Sequence, residues 1–289
     1  MDSVANPGRL LAGMAAEGWL RWAAVDIGGM LESVRLRMDL SPTSAAVLGR
    51  SLAGAALLQQ FSTGGADRIL LEIAGRGPVH TVVAEADARG RLRGLVDDPR
   101  VETLTDRNGD LAVGAAVGGG TLRVVRGRAG KVHSSQVELT SGDVGEGLAH
   151  YLLQSEQTRS AVLVGVLERP DGVTAAGGVM IEALPGVPEE SVTALERRLA
   201  GCESISRTLA AAGIEATVDS LLPEDRELHL DTPLIYECRC SRERIRLYLR
   251  QLGEGEWATE EGEIVVDCGF CGENYTFSRD DLSSASGPS

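Results

Sequence analysis

Four of the chain's five cysteines stand in two tight pairs near the C-terminus, Cys238-Arg239-Cys240 and Cys268-Gly269-Phe270-Cys271. The gap between the pairs, Ser241 to Asp267, is 27 residues. Paired thiols at this spacing supply the four soft donors of a tetrahedral zinc site. A module of roughly 50 residues has too little core to fold unaided, so the thiols constrain this region more than any other feature does. Two chemistries fit the same sulfurs. One is a permanently reduced zinc ribbon; the other is a switch in which the thiols form disulfides and give up the metal. A thioredoxin-like catalyst fits less well. Its single Cys-x-x-Cys should open a helix after a core strand, whereas Cys268 and Cys271 lie in a hairpin beside a second pair.

With 289 residues, the chain has room for two domains, or for one core domain with an appended module. Aromatic residues make up only 3%, so the core must rest on Leu, Val, Ile and Ala. The net charge of -14, from 42 acidic and 28 basic residues, argues against nucleic acid as a partner, because phosphate binding needs a basic surface. Lys131 is the only lysine, which removes Walker-type phosphate loops and most Schiff-base chemistry. No apolar run reaches 18 residues, so no membrane helix is predicted. Met1 to Arg9 does not read as a signal peptide. A cytoplasmic location follows as the expectation, where thiols are held reduced.

The patterning predicts an α+β fold with an N-terminal mixed sheet-and-helix core over 1–184. Strict alternation from Val34 through Leu36, Met38 and Leu40 predicts a strand over 31–40. Ser41-Pro42 then offers an N-cap and a first-turn proline for a helix to about Phe61. Further strands are expected at 68–74, 78–86, 111–117, 121–126 and 133–139, with turns at Asn108-Gly109 and Gly118-Gly119-Gly120. A helix from Asp143 to about Gln154 and strands at 160–168 and 173–183 complete the core. Antiparallel strands with few helices favour α+β over a parallel doubly wound sheet.

Leu184-Pro185-Gly186-Val187-Pro188 is a breaker cluster and the expected boundary. After it comes a linker, 185–230, with one apolar helical stripe: Val192, Leu195, Leu199, Cys202, Ile205 and Leu209. Gly201 and several Ser and Thr residues lower its helix propensity, so it should be helical only when the stripe is docked. The cysteine module is expected over 231–282. In it Ser241 caps a helix carrying Ile245, Tyr248, Leu249 and Leu252, and a hairpin of Ile264–Val266 with Asn274–Phe277 flanks the second pair. An acidic loop contains Glu254, Glu256, Glu260 and Glu261. A Ser/Gly-rich tail, 283–289, should be disordered.

Cys238, Cys240, Cys268 and Cys271 are therefore the candidate ligands for one zinc ion. Cys202 reads as a small apolar residue on the linker stripe. His229 precedes Cys238 by nine residues but is surplus to a shell of four sulfurs. His80, His133 and His150 read as structural or surface residues. Ser155-Glu156-Gln157 holds a possible acid with no partner at a catalytic spacing, and no enzyme activity is expected.

Several separated motifs resemble one known family, the 33 kDa chaperonins or heat shock protein 33. They are Glu237-Cys-Arg-Cys-Ser-Arg-Glu-Arg244, Asp267-Cys-Gly-Phe-Cys-Gly-Glu-Asn-Tyr-Thr-Phe277, Tyr151-Leu-Leu-Gln-Ser-Glu-Gln157 and Ala176-Gly-Gly-Val-Met-Ile-Glu-Ala-Leu-Pro-Gly186. Arg239 departs from the pattern, where an acidic or small residue is more usual, and should alter local thiol reactivity. The resemblance implies a redox-regulated, ATP-independent holdase that is inactive when reduced and zinc-bound. It further implies that oxidation joins Cys238 to Cys240 and Cys268 to Cys271, releases zinc and unfolds the C-terminal region. Apolar surface would then bind unfolding client proteins, with Val192, Leu195, Leu199, Ile205 and Leu209 as candidate contacts and a homodimer possible on oxidation. The alternative is a constitutive zinc-stapled adaptor for a protein partner.

Overall fold

The structure, a computed structural model, describes residues 6–62, 67–107, 110–252 and 263–283. The expected Asn108-Gly109 turn, the acidic loop and the residues after Ser283 lie outside them. The chain divides into two compact units, Met1–Glu237 and Cys238–Ser289.

The first unit is a mixed α+β fold on one ten-stranded sheet. Its strands are β1 (Gly8–Ala15), β2 (Leu20–Asp26), β3 (Arg68–Gly75), β4 (Thr81–Asp87) and β5 (Arg91–Val96). They continue with β6 (Gly120–Arg128), β7 (Lys131–Leu139), β8 (Arg159–Arg169), β9 (Gly172–Ala183) and β10 (Glu227–Tyr236). The order across the sheet is β7-β6-β3-β4-β5-β10-β1-β2-β9-β8. Every pairing is antiparallel except a short parallel step in which Ile235 and Tyr236 of β10 meet Arg91 and Leu92 of β5. Residues 231–236, expected to open the cysteine module, instead complete β10 and belong to the first unit.

Helix α2 (Pro42–Phe61) forms as expected, with the Ser41 hydroxyl accepting from the Ser44 N–H at 3.2 Å. Sixteen of its 20 residues are buried, so it is apolar all round instead of striped. Small residues permit this; a Cβ on Gly49 would overlap Leu31, and one on Gly54 would overlap Leu148.

Two expected strands are helices. Residues 31–38 belong to α1 (Gly28–Met38), which buries Met30, Leu31 and Val34 and leaves Leu36 66% exposed. The alternation from Val34 coexisted with a helical spacing at 30, 31 and 34. Packing on β9 selects the helix, and the left-handed Asp39 (φ 51°) ends it. Residues 113–117 form the short α3 (Val113–Val117), burying Val113, Ala116 and Val117 at helical spacing and closed by left-handed Gly118 (φ 69°). Helix α4 (Val144–Tyr151), capped by Asp143, runs into a wider π-turn over Leu152–Glu156.

Strands β1, β2 and β9 are buried on both faces. Leu10, Ala12, Ala23, Val25, Ala176 and Met180 face the main core with α1 and α2. Leu11, Trp22, Ala24, Val179 and Ile181 face a second core on the other side. Continuous apolar runs, with no alternation, are the signature of doubly covered strands.

Candidate metal centre

In the second unit, Ser241 caps α7 (Arg242–Gln251), its hydroxyl accepting from the Arg244 N–H at 3.2 Å. Strands β11 (Glu263–Asp267) and β12 (Asn274–Ser278) pair as the expected hairpin, with Val266 opposite Tyr275. A helical turn, Arg279–Ser283, follows. Among the described residues the apolar core consists of Leu249, Phe277 and Leu282, with Ile245, Leu252, Ile264, Val266 and Tyr275 at its margin. Arg242 stacks 4.5 Å from the Phe277 ring centre and donates to the Thr276 carbonyl at 2.7 Å, tying α7 to β12. Among the described residues this is a small core.

The four cysteine sulfurs lie together in the same unit. Cys238, Cys240, Cys268 and Cys271 bring their Sγ atoms within 4.8 Å of one another. The closest approaches run between the two pairs: Cys238 to Cys268 at 3.6 Å and Cys240 to Cys271 at 3.4 Å. Four thiolates around zinc at ~2.3 Å sit about 3.8 Å apart in a regular tetrahedron, so this donor set fits the ion in number, chemistry and spacing. The knuckle is shaped by Gly272, left-handed at φ 69°, whose N–H bonds to the Cys268 carbonyl at 2.8 Å. Cys271 is buried and the other three are half-buried.

Without a metal, a hydrogen bond to Cys268 and burial push the Cys238 thiol up to about 12. Burial, chiefly, pushes Cys271 up to about 11. A coordinated cation inverts that preference and holds the sulfurs as thiolates. The Tyr275 hydroxyl lies 3.1 Å from Cys240 Sγ, a contact that the sequence reading overlooked because Tyr275 registered only as a strand residue.

The other candidates lie elsewhere. His229 is on β10 with its Nε2 3.0 Å from a Glu227 carboxylate oxygen. His80, His133 and His150 are exposed. Glu156 accepts from the Tyr151 hydroxyl at 2.7 Å and from Arg126 at 3.0 Å, so the Tyr151–Gln157 block anchors the π-turn.

The linker stripe is split between two helices, α5 (Glu189–Ala200) and α6 (Ile205–Leu221). One continuous helix was expected through Leu209. Gly201 ends the first, and Ser204 caps the second by accepting from the Arg207 N–H at 3.4 Å. Within α6, Gly213 (φ 77°, ψ 176°) breaks the helix again. Leu195, Ile205 and Leu209 are buried in the second core against Leu11, Trp22 and Val179. Leu199 and Cys202 pack at its rim, and Val192 is also buried. Arg9 holds the far end through Asp231 at 2.7 Å and through Glu215. Asp225 accepts the Ala16 and Glu17 N–H groups at 3.1 and 2.6 Å.

The sequence matches the Hsp33 protein family over residues 8–278. The chain belongs to the Hsp33 family. It is 39% identical to a 33 kDa chaperonin of Thermus thermophilus over 96% of this chain and 86% of that protein. It is 35% identical to the 33 kDa chaperonin of Bacillus subtilis over 94% and 96%. The crystal structure of the Thermotoga maritima 33 kDa chaperonin superposes with a TM-score of 0.88 at 33% identity, covering 95% of this chain and 96% of that one. Among the described residues no helix is long and apolar enough to cross a membrane.

Proposed function

We propose that this Hsp33 chain is an oxidation-activated holdase that binds unfolding proteins without ATP. The observation that carries the reading is the placement of the linker stripe on an apolar sheet face, immediately upstream of the clustered thiols. Leu195, Ile205 and Leu209 cover Leu11, Trp22 and Val179, so undocking the linker bares apolar surface on both partners. Strand β10 hands the chain from the linker directly to Cys238, with only Glu237 between.

Bound zinc would supply a cross-link beside the small apolar core of the second unit's described residues, on the order of 10–16 kcal/mol in small zinc peptides. In this reading, Cys238 with Cys240 and Cys268 with Cys271 each lose two electrons to a peroxide-class oxidant. One disulfide forms per pair, and one peroxide per pair is reduced to water. All four ligands are withdrawn, and the second unit loses its principal stabilisation. The linker, helical only through its docking, then separates from the sheet and clients bind the uncovered surfaces. Exposed apolar surface also favours pairing of two oxidised chains.

An oxidant titration of the purified full chain tests this, with zinc release read by a chromogenic chelator and client aggregation by light scattering. About one zinc per chain should be released as aggregation suppression rises. Suppression that is independent of oxidant but lost on chelation would identify a constitutive zinc-stapled adaptor instead.

A further inference from the structure

We propose that Tyr275 is a positioning residue of the metal centre, its hydroxyl donating a hydrogen bond to the Cys240 sulfur and strengthening that ligand's hold on a bound ion. The inference rests on the zinc-centre reading above. The Tyr275 Oη and Cys240 Sγ are 3.1 Å apart. Either atom could donate between a hydroxyl and a thiol. A ligating thiolate has no proton, so in the metal-bound state Tyr275 must be the donor.

The ring is held in place from two sides. Tyr275 stands opposite Val266 in the β11–β12 hairpin, two residues before Cys268, and packs against the Leu249–Phe277–Leu282 core. Backbone N–H groups serve two other sulfurs: that of Cys240 faces Cys238 at 3.5 Å, and that of Glu273 serves Cys271. Cys240 receives a side-chain donor, the Tyr275 hydroxyl. Hydrogen bonds from outside the ligand shell orient ligands and tune their donor strength, and losing one typically costs 10–100-fold in affinity.

The test compares the full chain with Tyr275→Phe, which keeps the ring and deletes only the hydroxyl. Zinc affinity is measured by chelator competition, and thiolate donor strength by the charge-transfer band of the cobalt-loaded protein. The expected result is roughly tenfold weaker zinc binding together with a shifted cobalt–thiolate band. Unchanged affinity and an unchanged spectrum would overturn the proposal. So would weaker binding with an unshifted band, because the ring would then act through packing alone. A wild-type chain that binds no zinc would bring down the metal-centre reading itself, and this inference with it.

Discussion

Ile205 of the linker packs over Gly165 of β8, so closely that an added Cβ at Gly165 would come within 2.9 Å of the Ile205 Cγ2 methyl. On β9 a Cβ at Gly177 would meet the Val25 carbonyl of β2 at 2.1 Å first and then Leu209 Cδ1 at 3.0 Å. The sheet thus accepts Ile205 over bare backbone at Gly165, while Leu209 packs beside Gly177.

Gly165→Val should lift the linker while the zinc site stays intact. Overpacking of this kind costs about 1–3 kcal/mol. The expected outcome is greater apolar-dye binding and measurable aggregation suppression in reduced protein. Zinc content equal to wild type shows that the linker was moved directly; dye binding identical to wild type would refute the contact's role.

Chelation should unfold the second unit selectively. Among the described residues its buried apolar core is three side chains, whereas β2 and β9 are covered on both faces. Hydrogen exchange after zinc removal should show amides of α7, β11 and β12 losing protection while those of β2 and β9 keep it. Equal loss across both units would show that the core domain also depends on the metal.

Replacing Arg239 should speed activation, because zinc-bound sulfurs are already thiolates and Arg239 acts on their nucleophilicity. Its half-buried position lies between Cys238 and Cys240, where a cation draws charge from the sulfurs. Arg239→Ser is expected to speed peroxide-driven zinc loss, by roughly threefold for each unit by which the sulfur becomes more basic; slower release would refute the role. Stopped-flow release kinetics at fixed peroxide provide the measurement.

Two carboxylates around Arg35 should give opposite pH signatures. Glu32 is held low by hydrogen bonds from Arg35 at 2.7 Å and from the Val173 N–H at 2.8 Å. Its stabilisation is present above the ordinary carboxylate range and is lost as pH falls through the depressed folded value. Glu168, 4.0 Å from Arg35, is pushed up by burial, so its ionisation weakens the fold as pH rises through the raised value. Melting curves at pH 7 and at pH values well below the ordinary carboxylate range should therefore show Glu32→Gln losing stability mainly at pH 7. Glu168→Gln should remove a penalty present there, and both variants shifting alike would contradict the assignment.

Much of the second unit was legible because local chemistry dictates it. Ser241 caps its helix, the hairpin pairs as the alternation suggests, and four thiols at short spacing converge. The long helix after Ser41-Pro42 was legible for the same reason. The region around Leu31–Leu40 was not, because its apolar residues satisfy two periods at once and only packing on β9 chooses between them. Strands β1, β2 and β5 were not expected; burial on both faces removes the alternation from β1 and β2, whereas β5 is short and its alternation brief.

The sequence by itself determined the α+β class, the cysteine centre, the linker's stripe and the family, since these depend on residue type, spacing and motif. Only the tertiary structure decided where the stripe is covered. Leu195, Ile205 and Leu209 seat on β-strands far away in the chain, Ile205 over a glycine at 165 whose value lies in the side chain it lacks. The Tyr275–Cys240 contact was likewise decided in three dimensions. A hydrogen bond across 35 residues leaves no local pattern, and it exists because the hairpin and the first cysteine pair are folded onto the same point.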